Sequence, residues 1–393
     1  MRVLHVIPSY LPALRYGGPI FATHALCAAL VRRGCEVTVY TTNVDGPAES
    51  PVAVGEPVPM DGVNVWYFRS PWLRRLYYAP TMARALAEQC AGFDILHLHS
   101  VFLWPTWAAA RAARHGGVPY LLAPRGMLVK DLIARKSRWL KQAWIELIER
   151  GNLEAAAGIH VTSRVEADEL RSFGFALPPI HEVPNGVEVG EPDGPQNALP
   201  TALAAALGSG RPVVLALGRI NWKKGLDRLI PALACVPEAL LLIVGNDEEG
   251  YTRTVRDLAK QSGVTDRVVF AGPVYGRAKA ELYRGATVLA LASYSENFGN
   301  VVLEAMVQGC PVVVTPEVGA AAIVEELGGG LVAKGDPRSF GGALQKLIAD
   351  PSLRASMGNR AREGVRGRYS WDAIAGRMLE VYRTTVAAKK GAR

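Results

Sequence analysis

The feature that most constrains this chain is a recurring series of short apolar runs separated by stretches of helical periodicity. In the second half the runs are PVVLALGRI (212–220), ALLLIVG (239–245), RVVFAG (267–272), TVLALAS (287–293) and CPVVVT (310–315). A strand with one wet face alternates polar and apolar residues. Runs apolar at both parities fit strands covered by helices on both sides, as in a parallel sheet. The first half repeats the pattern with RVLHVI (2–7), EVTVYTT (36–42), DILHLHS (94–100), PYLLAP (119–124) and GIHVTS (158–163). Helices fit between the runs: Ile20 to Arg33, with Leu26 and Leu30 one turn apart and Gly34 as the stop, then Tyr251–Gln261 and Asn300–Gln308. Such alternation implies an α/β fold of parallel sheets with right-handed crossovers.

The chain has 393 residues, too many for one ordinary core, so two such domains are expected. Around 184–212 the sequence turns rich in Pro, Gly and Asn (VPNGVEVGEPDGPQNALP) and reads as the linker. The expected division is 1–184 and 185–369, followed by 370–393, whose amphipathic stretch SWDAIAGRMLEVYRTTVA (370–387) packs back on the first domain. Ligands of open parallel sheets sit beyond the carboxyl ends of the strands, so a cleft between two sheets is the expected active site.

Hydrophobic residues at 49% and charged residues at 20% exclude a disordered chain. Five scattered cysteines without a CxxC argue against a disulfide framework or zinc site and for a reducing compartment. The first apolar run ends at Pro8, too short for a signal peptide, and no run approaches ~20 apolar residues. The formal charge is +8. Residues 71–141 hold eleven Lys/Arg against three acids, an equal excess of eight, which attracts anionic substrates, a membrane surface or nucleic acid. Nucleic acid is the disfavoured partner, because no RNA-binding signature or zinc finger accompanies the basic residues.

Three constellations follow strands or open helices. In SYSENFGNVVLEAMVQGCPVVVT (293–315), Glu296 and Glu304 are eight apart, and Phe298-Gly299-Asn300 turn into a helix. A helix N-terminus suits an anion, and a carboxylate beside it suits sugar or ribose hydroxyls. The same glutamates also fit solvated helix-end acids. In GRINWKKG (218–225), Arg219 and Lys224 lie in the loop after a strand, where two cations can clamp a diphosphate. A plain basic surface loop fits that segment too. The Gly17-Gly18-Pro19 loop permits close backbone approach by a ligand, or is a simple turn.

Together these motifs resemble the retaining glycosyltransferases of the GT-B fold, family 4, also called the glycosyl transferases group 1 family. ENFGNVVLE matches that family's E-x7-E motif, GRINWKKG its G-R-x(4)-K-G pattern, and VPNGV (183–187) the segment opening its linker. YGGP and the closing SW-initiated helix also fall where the family has them. The resemblance implies two Rossmann-like domains with sheets facing across a cleft, and sugar transfer from a UDP- or GDP-sugar with retention of configuration. It assigns the leaving diphosphate to Arg219 and Lys224, the sugar hydroxyls to Glu296, and the sugar and phosphates to the backbone of Phe298, Gly299 and Asn300. It assigns the ribose to Glu304, the base to Gly272 through Val274, and the diphosphate's other side to Gly18. No D-x-D triplet occurs, which fits catalysis without metal or other cofactor. A GT-B protein that binds sugar nucleotides without transferring them, or an epimerase, is the rival.

The acceptor side departs from the family. Many relatives carry a histidine after the strand equivalent to PYLLAP, where this chain has PRGML with Arg125. His99 is the other candidate there. His97 and His99 share a strand face, as a metal pair lacking an obvious third ligand or as ordinary hydrogen-bonded rings. The basic stretch LIARKSRWLKQAWIELIERGNLEAAAG (132–158) interleaves Trp139 and Trp144 with cations. It reads either as a surface for anionic membrane or as a helix whose Trp and Ile side chains enter the core. The resulting expectation is a cytoplasmic enzyme, peripheral at the inner membrane face, that uses a lipid-linked or saccharide acceptor in bacterial cell-surface or exopolysaccharide assembly.

Overall fold

The computed structural model describes residues 1–13, 17–135, 138–190, 198–247 and 249–391. Tyr16 of the YGGP loop, Lys136 of the basic stretch and 191–197 of the expected linker lie outside the described residues. The chain divides into two compact units, Met1–Gly186 with Trp371–Arg393, and Val187–Ser370.

The strands of the first unit are β1 (Arg2–Val6), β2 (Glu36–Thr42), β3 (Val44–Asp45), β4 (Ala48–Glu49), β5 (Pro57–Met60), β6 (Val63–Phe68), β7 (Ile95–His99), β8 (Tyr120–Ala123), β9 (Gly158–Val161) and β10 (Ile180–Glu182). β3 and β4 form a separate antiparallel pair, and the other eight make one sheet in the order β10-β9-β8-β7-β1-β2-β6-β5. Every pairing in that sheet is parallel except β5 with β6. Sequence reading missed this edge. Pro57 and Pro59 occupy alternate positions of β5 and remove donors in one phase of the ladder, which suits a strand with no neighbour beyond it.

The two faces of this sheet differ in chemistry. Leu4, Val6, Leu96, Leu98, Leu122 and Ile159 join one apolar cluster with Met82 and Leu86 of helix Pro80–Gln89. Each fully buried apolar side chain of this kind contributes about 1.5–3 kcal/mol by leaving water. At the opposite parity stand His5, His97, His99 and His160, all buried. Helix Trp371–Gly391 belongs to this unit and packs on helix Gly18–Arg32. Arg33 donates to the carboxylate and carbonyl of Asp372 at its start, and Tyr382 is fully buried in its middle.

The second unit has β11 (Val213–Leu217), β12 (Leu240–Val244), β13 (Val268–Ala271), β14 (Val288–Leu291), β15 (Val312–Val314) and β16 (Gly330–Val332). All pair in parallel, in the order β13-β12-β11-β14-β15-β16. β11 to β13 run outward from the centre one way and β14 to β16 the other, so the order reverses between β11 and β14. The first unit reverses in the same manner between β1 and β7. At such a reversal the loops leave the strand ends in opposite directions and open a crevice.

Candidate active site

The loops after β11 and β14 flank the reversal of the second unit. β11 ends at Leu217; the chain then passes Gly218 and Arg219, makes a short 3-10 turn at Trp222–Lys224, and enters helix Leu226–Ala232. Gly225 joins turn to helix at φ 63°, and a Cβ there would stand 1.9 Å from the carbonyl oxygen of Ala292. Only glycine lets this loop lie against the end of β14. A hydrogen bond ties the loops, from the amide of Tyr294 to the carbonyl of Lys223 at 2.8 Å. The Arg228 guanidinium lies 3.5 Å from the Tyr294 ring centre, and the Tyr294 hydroxyl donates to Asp227 at 2.7 Å.

This packing brings two of the expected residues into contact. Lys224 Nζ pairs with Glu296 Oε2, with side chains 16% and 23% exposed. Arg219 is exposed, and with Gly218, Lys224, Ala290 and Leu291 it lines a small hollow at the ends of β11 and β14. Glu296 is fixed through its backbone, which accepts from Gly319 and donates to Glu317. Gly299 caps helix Asn300–Val307 at φ 89°, where a Cβ would stand 3.1 Å from Val318 Cγ1 and 3.4 Å from Glu296 Cγ. The Phe298 ring is buried, 3% exposed, and its carbonyl accepts from the Ala320 amide, which anchors the turn.

Glu304 lies just over one turn into the same helix. Lys279 Nζ pairs with its Oε2 at 2.6 Å, and the Tyr283 hydroxyl donates to that oxygen at 2.7 Å. Burial, then the neighbouring Glu304 carboxylate, holds the Tyr283 hydroxyl well above the usual tyrosine range, so it stays a donor. Sequence reading missed both partners, although Lys279 and Tyr283 are four apart on helix Gly276–Gly285 and so share a face. Gly272 is exposed with open space where a side chain would stand, and Val274 is buried. Gly18 is an exposed residue of the first helical turn in the first unit, after the Gly17 cap.

The acceptor-side candidates belong to a connected network. Arg125 Nε and Nη2 reach His99 Nδ1 at 3.3 and 3.0 Å. His99 Nε2 meets His5 Nδ1 at 2.9 Å, and His5 Nε2 meets the Tyr382 hydroxyl at 3.4 Å. That hydroxyl meets His97 Nδ1 at 2.7 Å. His97 Nε2 meets His160 Nδ1 at 3.1 Å, and His160 Nε2 meets the Val183 carbonyl at 2.9 Å. One end of this chain is a guanidinium, which only donates; the other is a carbonyl, which only accepts. The directions in between follow. Each histidine accepts at Nδ1 and donates from Nε2, and Tyr382 donates to His97.

Every ring in that circuit is neutral, since a second proton would set N–H against N–H. Burial first, then the Arg125 charge, lowers His5 and His160 to about 3. His97 and His99 also lie well below the usual histidine range, again chiefly by burial. His5 is the third ring that the sequence did not reveal beside His97 and His99, and the ligand atoms of the three lie within 4.8 Å. All six of their ring nitrogens already serve the circuit, so a cation there would have to displace those bonds.

The basic stretch divides between its two readings. Trp144 is half-buried and donates from Nε1 to the buried Glu149, and Ile145 enters the core. Trp139, Leu140 and Leu147 stand 81%, 76% and 82% exposed. No described helix is long and apolar enough to cross a membrane.

Comparison with known proteins agrees with this architecture. Residues 204–364 match the family model "Glycosyl transferases group 1", and residues 17–186 match "Glycosyl transferase 4-like domain". A D-inositol 3-phosphate glycosyltransferase of Xylanimonas cellulosilytica is 33% identical over 91% of this chain and 89% of its own length. Among solved structures, Anabaena HepE in complex with UDP and glucose superposes with a TM-score of 0.75 at 20% identity, covering 98% of this chain and 100% of that one. WaaG, a glycosyltransferase involved in lipopolysaccharide biosynthesis, gives 0.67 at 18% identity over 97% and 99%. The paired Rossmann-like units and these matches place the chain among the group 1 glycosyltransferases of the GT-B fold, and it is a transferase of that family.

Proposed function

We propose that the protein transfers a sugar from a nucleoside diphosphate sugar to an acceptor hydroxyl, with retention of configuration and without a metal ion. The observation that carries this reading is the convergence of Arg219, Lys224 and Glu296 at the strand-order reversal of the second unit. The bond between the sugar's anomeric carbon and the diphosphate breaks, and its electron pair stays on the phosphate oxygen. Arg219 and Lys224 stabilise that charge. The acceptor oxygen bonds to the anomeric carbon from the departing face, and its proton passes to the phosphate. Glu296, oriented by Lys224, takes the sugar hydroxyls. Glu304, held by Lys279 and Tyr283, takes the ribose hydroxyls. The Gly272–Val274 segment lies along the base, the backbone of Phe298, Gly299 and Asn300 meets the sugar and phosphates, and Gly18 approaches the diphosphate. His99 and Arg125 serve the acceptor. The UDP and glucose of the HepE complex favour a UDP-sugar.

The role proposed is bacterial cell-surface or exopolysaccharide assembly at the inner membrane face, with a lipid-linked or saccharide acceptor. The exposed Trp139, Leu140 and Leu147 beside Lys141 favour contact with anionic lipid. Flotation with vesicles with and without phosphatidylglycerol tests that contact: anionic vesicles should carry the protein up, and equal recovery from the soluble fraction in both would remove it. For the reaction, release of nucleoside diphosphate is followed with UDP- and GDP-sugars and a mixture of hexose phosphates and polyprenyl phosphates. Turnover with one base, unchanged by EDTA, and a product with the donor's anomeric coupling constant are expected. An inverted product, or loss of turnover on chelation, would contradict the reading.

A further inference from the structure

We propose that Arg125 is an oxyanion-binding residue, taking a phosphate or carboxylate group carried by the acceptor; this rests on the reading of the first unit as the acceptor side.

A guanidinium carries five N–H groups. Nε and one N–H of Nη2 share the His99 Nδ1 lone pair, and one N–H of Nη1 reaches Asn185 Oδ1 at 3.4 Å. One N–H on each terminal nitrogen has no partner among the described residues, and no carboxylate there lies within ion-pair distance of Arg125. A fork of two such donors is the group that takes an oxyanion on two oxygens. Arg125 is enclosed by its unit yet keeps part of its surface open. A cation so placed, served only by neutral acceptors, lacks the negative partner that would offset its removal from water. Glu166 lies near enough to favour its charge, but its own oxygens are committed to the Gly126 amide and to the amide and hydroxyl of Thr162.

The surroundings hold the guanidinium in one pose. Arg125 has φ 57°, and two other non-glycine residues with positive φ, Ser100 (74°) and Phe102 (63°), follow the neighbouring β7. Backbone in that region is retained only where the surroundings enforce it. Two buried carboxylates do so: Glu149 accepts from the Phe102 amide at 2.6 Å, and Glu166 accepts from the Gly126 amide at 2.7 Å. Behind them the directed histidine circuit presents the His99 Nδ1 lone pair to Arg125 and admits no proton. The four histidines thus position Arg125 without competing for its ligand.

The test uses the full chain labelled with 15N-arginine, in a Lys224→Ala background that weakens anion binding at the second unit. The Arg125 Nε–H resonance is assigned by its loss in Arg125→Lys, and the protein is titrated with inorganic phosphate and, separately, acetate. Movement of that resonance with phosphate identifies a phosphoryl acceptor, and movement with acetate alone a carboxylate one. Arg125→Gln should bind the effective anion about tenfold or more weakly. Should Arg125→Gln fail to fold, the resonance in the folded parent still decides. An Arg125 resonance unmoved by either anion would overturn the proposal. Failure of the donor reading would appear separately, as absence of nucleotide binding, and would leave this resonance unaffected.

Discussion

Between β11 and β14 the strand-order reversal carries a lysine, a glutamate and an arginine, all partly open to solvent. Between β1 and β7 the equivalent reversal of the other unit carries His5, His97 and His99, all with no exposed surface. The topology is the same and the chemistry is opposite. In the second unit the charges of Lys224 and Glu296 compensate one another, with Arg219 exposed nearby and a glycine-capped helix start beyond Glu296. In the first, neutral rings are satisfied by one another, the Tyr382 hydroxyl and the Val183 carbonyl, and the one charged group of the circuit is Arg125. Strand order decides where a crevice can form, and the side chains decide whether it receives a ligand or becomes a scaffold.

Removing either cation of the second reversal should give the largest effect. Arg219→Ala and Lys224→Ala should each lower kcat/KM by about 10²–10³-fold, as loss of one stabilising contact to a developing anion does. A loss under about tenfold in steady-state assays would place the leaving-group contacts elsewhere. Next in size is a break in the circuit of the first unit. His97→Leu removes the acceptor of the Tyr382 hydroxyl and the donor to His160 Nδ1, and urea melts should show about 2–4 kcal/mol less stability. An unchanged midpoint would mean that the circuit is dispensable.

The same comparison predicts a pH signature confined to the first unit. The four histidines of the circuit titrate near 6.5 when unfolded and lie below that when folded, at about 3 for His5 and His160. Between those values the unfolded chain binds more protons, so stability rises with pH. Their contribution is complete above pH 6.5 and is lost as pH falls toward 3. Thermal melts from pH 7 to 4 should show that decline, with a shallower slope in His160→Asn. A slope unaltered by that variant would contradict the neutral rings. The smallest effect is expected at the ribose end: Lys279→Ala should weaken nucleotide binding by about tenfold or less, since Glu304 keeps Tyr283.

Much of this was legible in the sequence because burial on both faces writes itself as a run of apolar residues. The runs at 213–217, 240–244 and 288–291 appear as strands within the expected segments. Short edge strands carry no such mark: Pro57–Met60 is half proline, and Gly330–Val332 is three residues long. The cations and carboxylates of the second unit were found because motif spacing keeps Arg219, Lys224 and Glu296 in two short loops and Glu304 on the helix that follows. Their partners Lys279 and Tyr283 come from a helix whose approach only the fold reveals. The histidine circuit was only partly legible. VLHV, LHLH and GIHV each place a histidine inside an apolar strand, but their common face depends on the register His5 with His97 and on the arrival of Tyr382 from the far end of the chain.

The central claim is that the reversal between β11 and β14 is the nucleotide site. It is tested most directly by thermal shift against UDP, GDP, ADP and their sugars, in the parent protein and in Arg219→Ala, Glu304→Ala and His160→Asn. A ligand of the folded state raises the melting temperature. The account predicts a rise with one base that is lost in Arg219→Ala and Glu304→Ala and kept in His160→Asn. A rise that survives both second-unit variants, or none with any nucleotide, would contradict it.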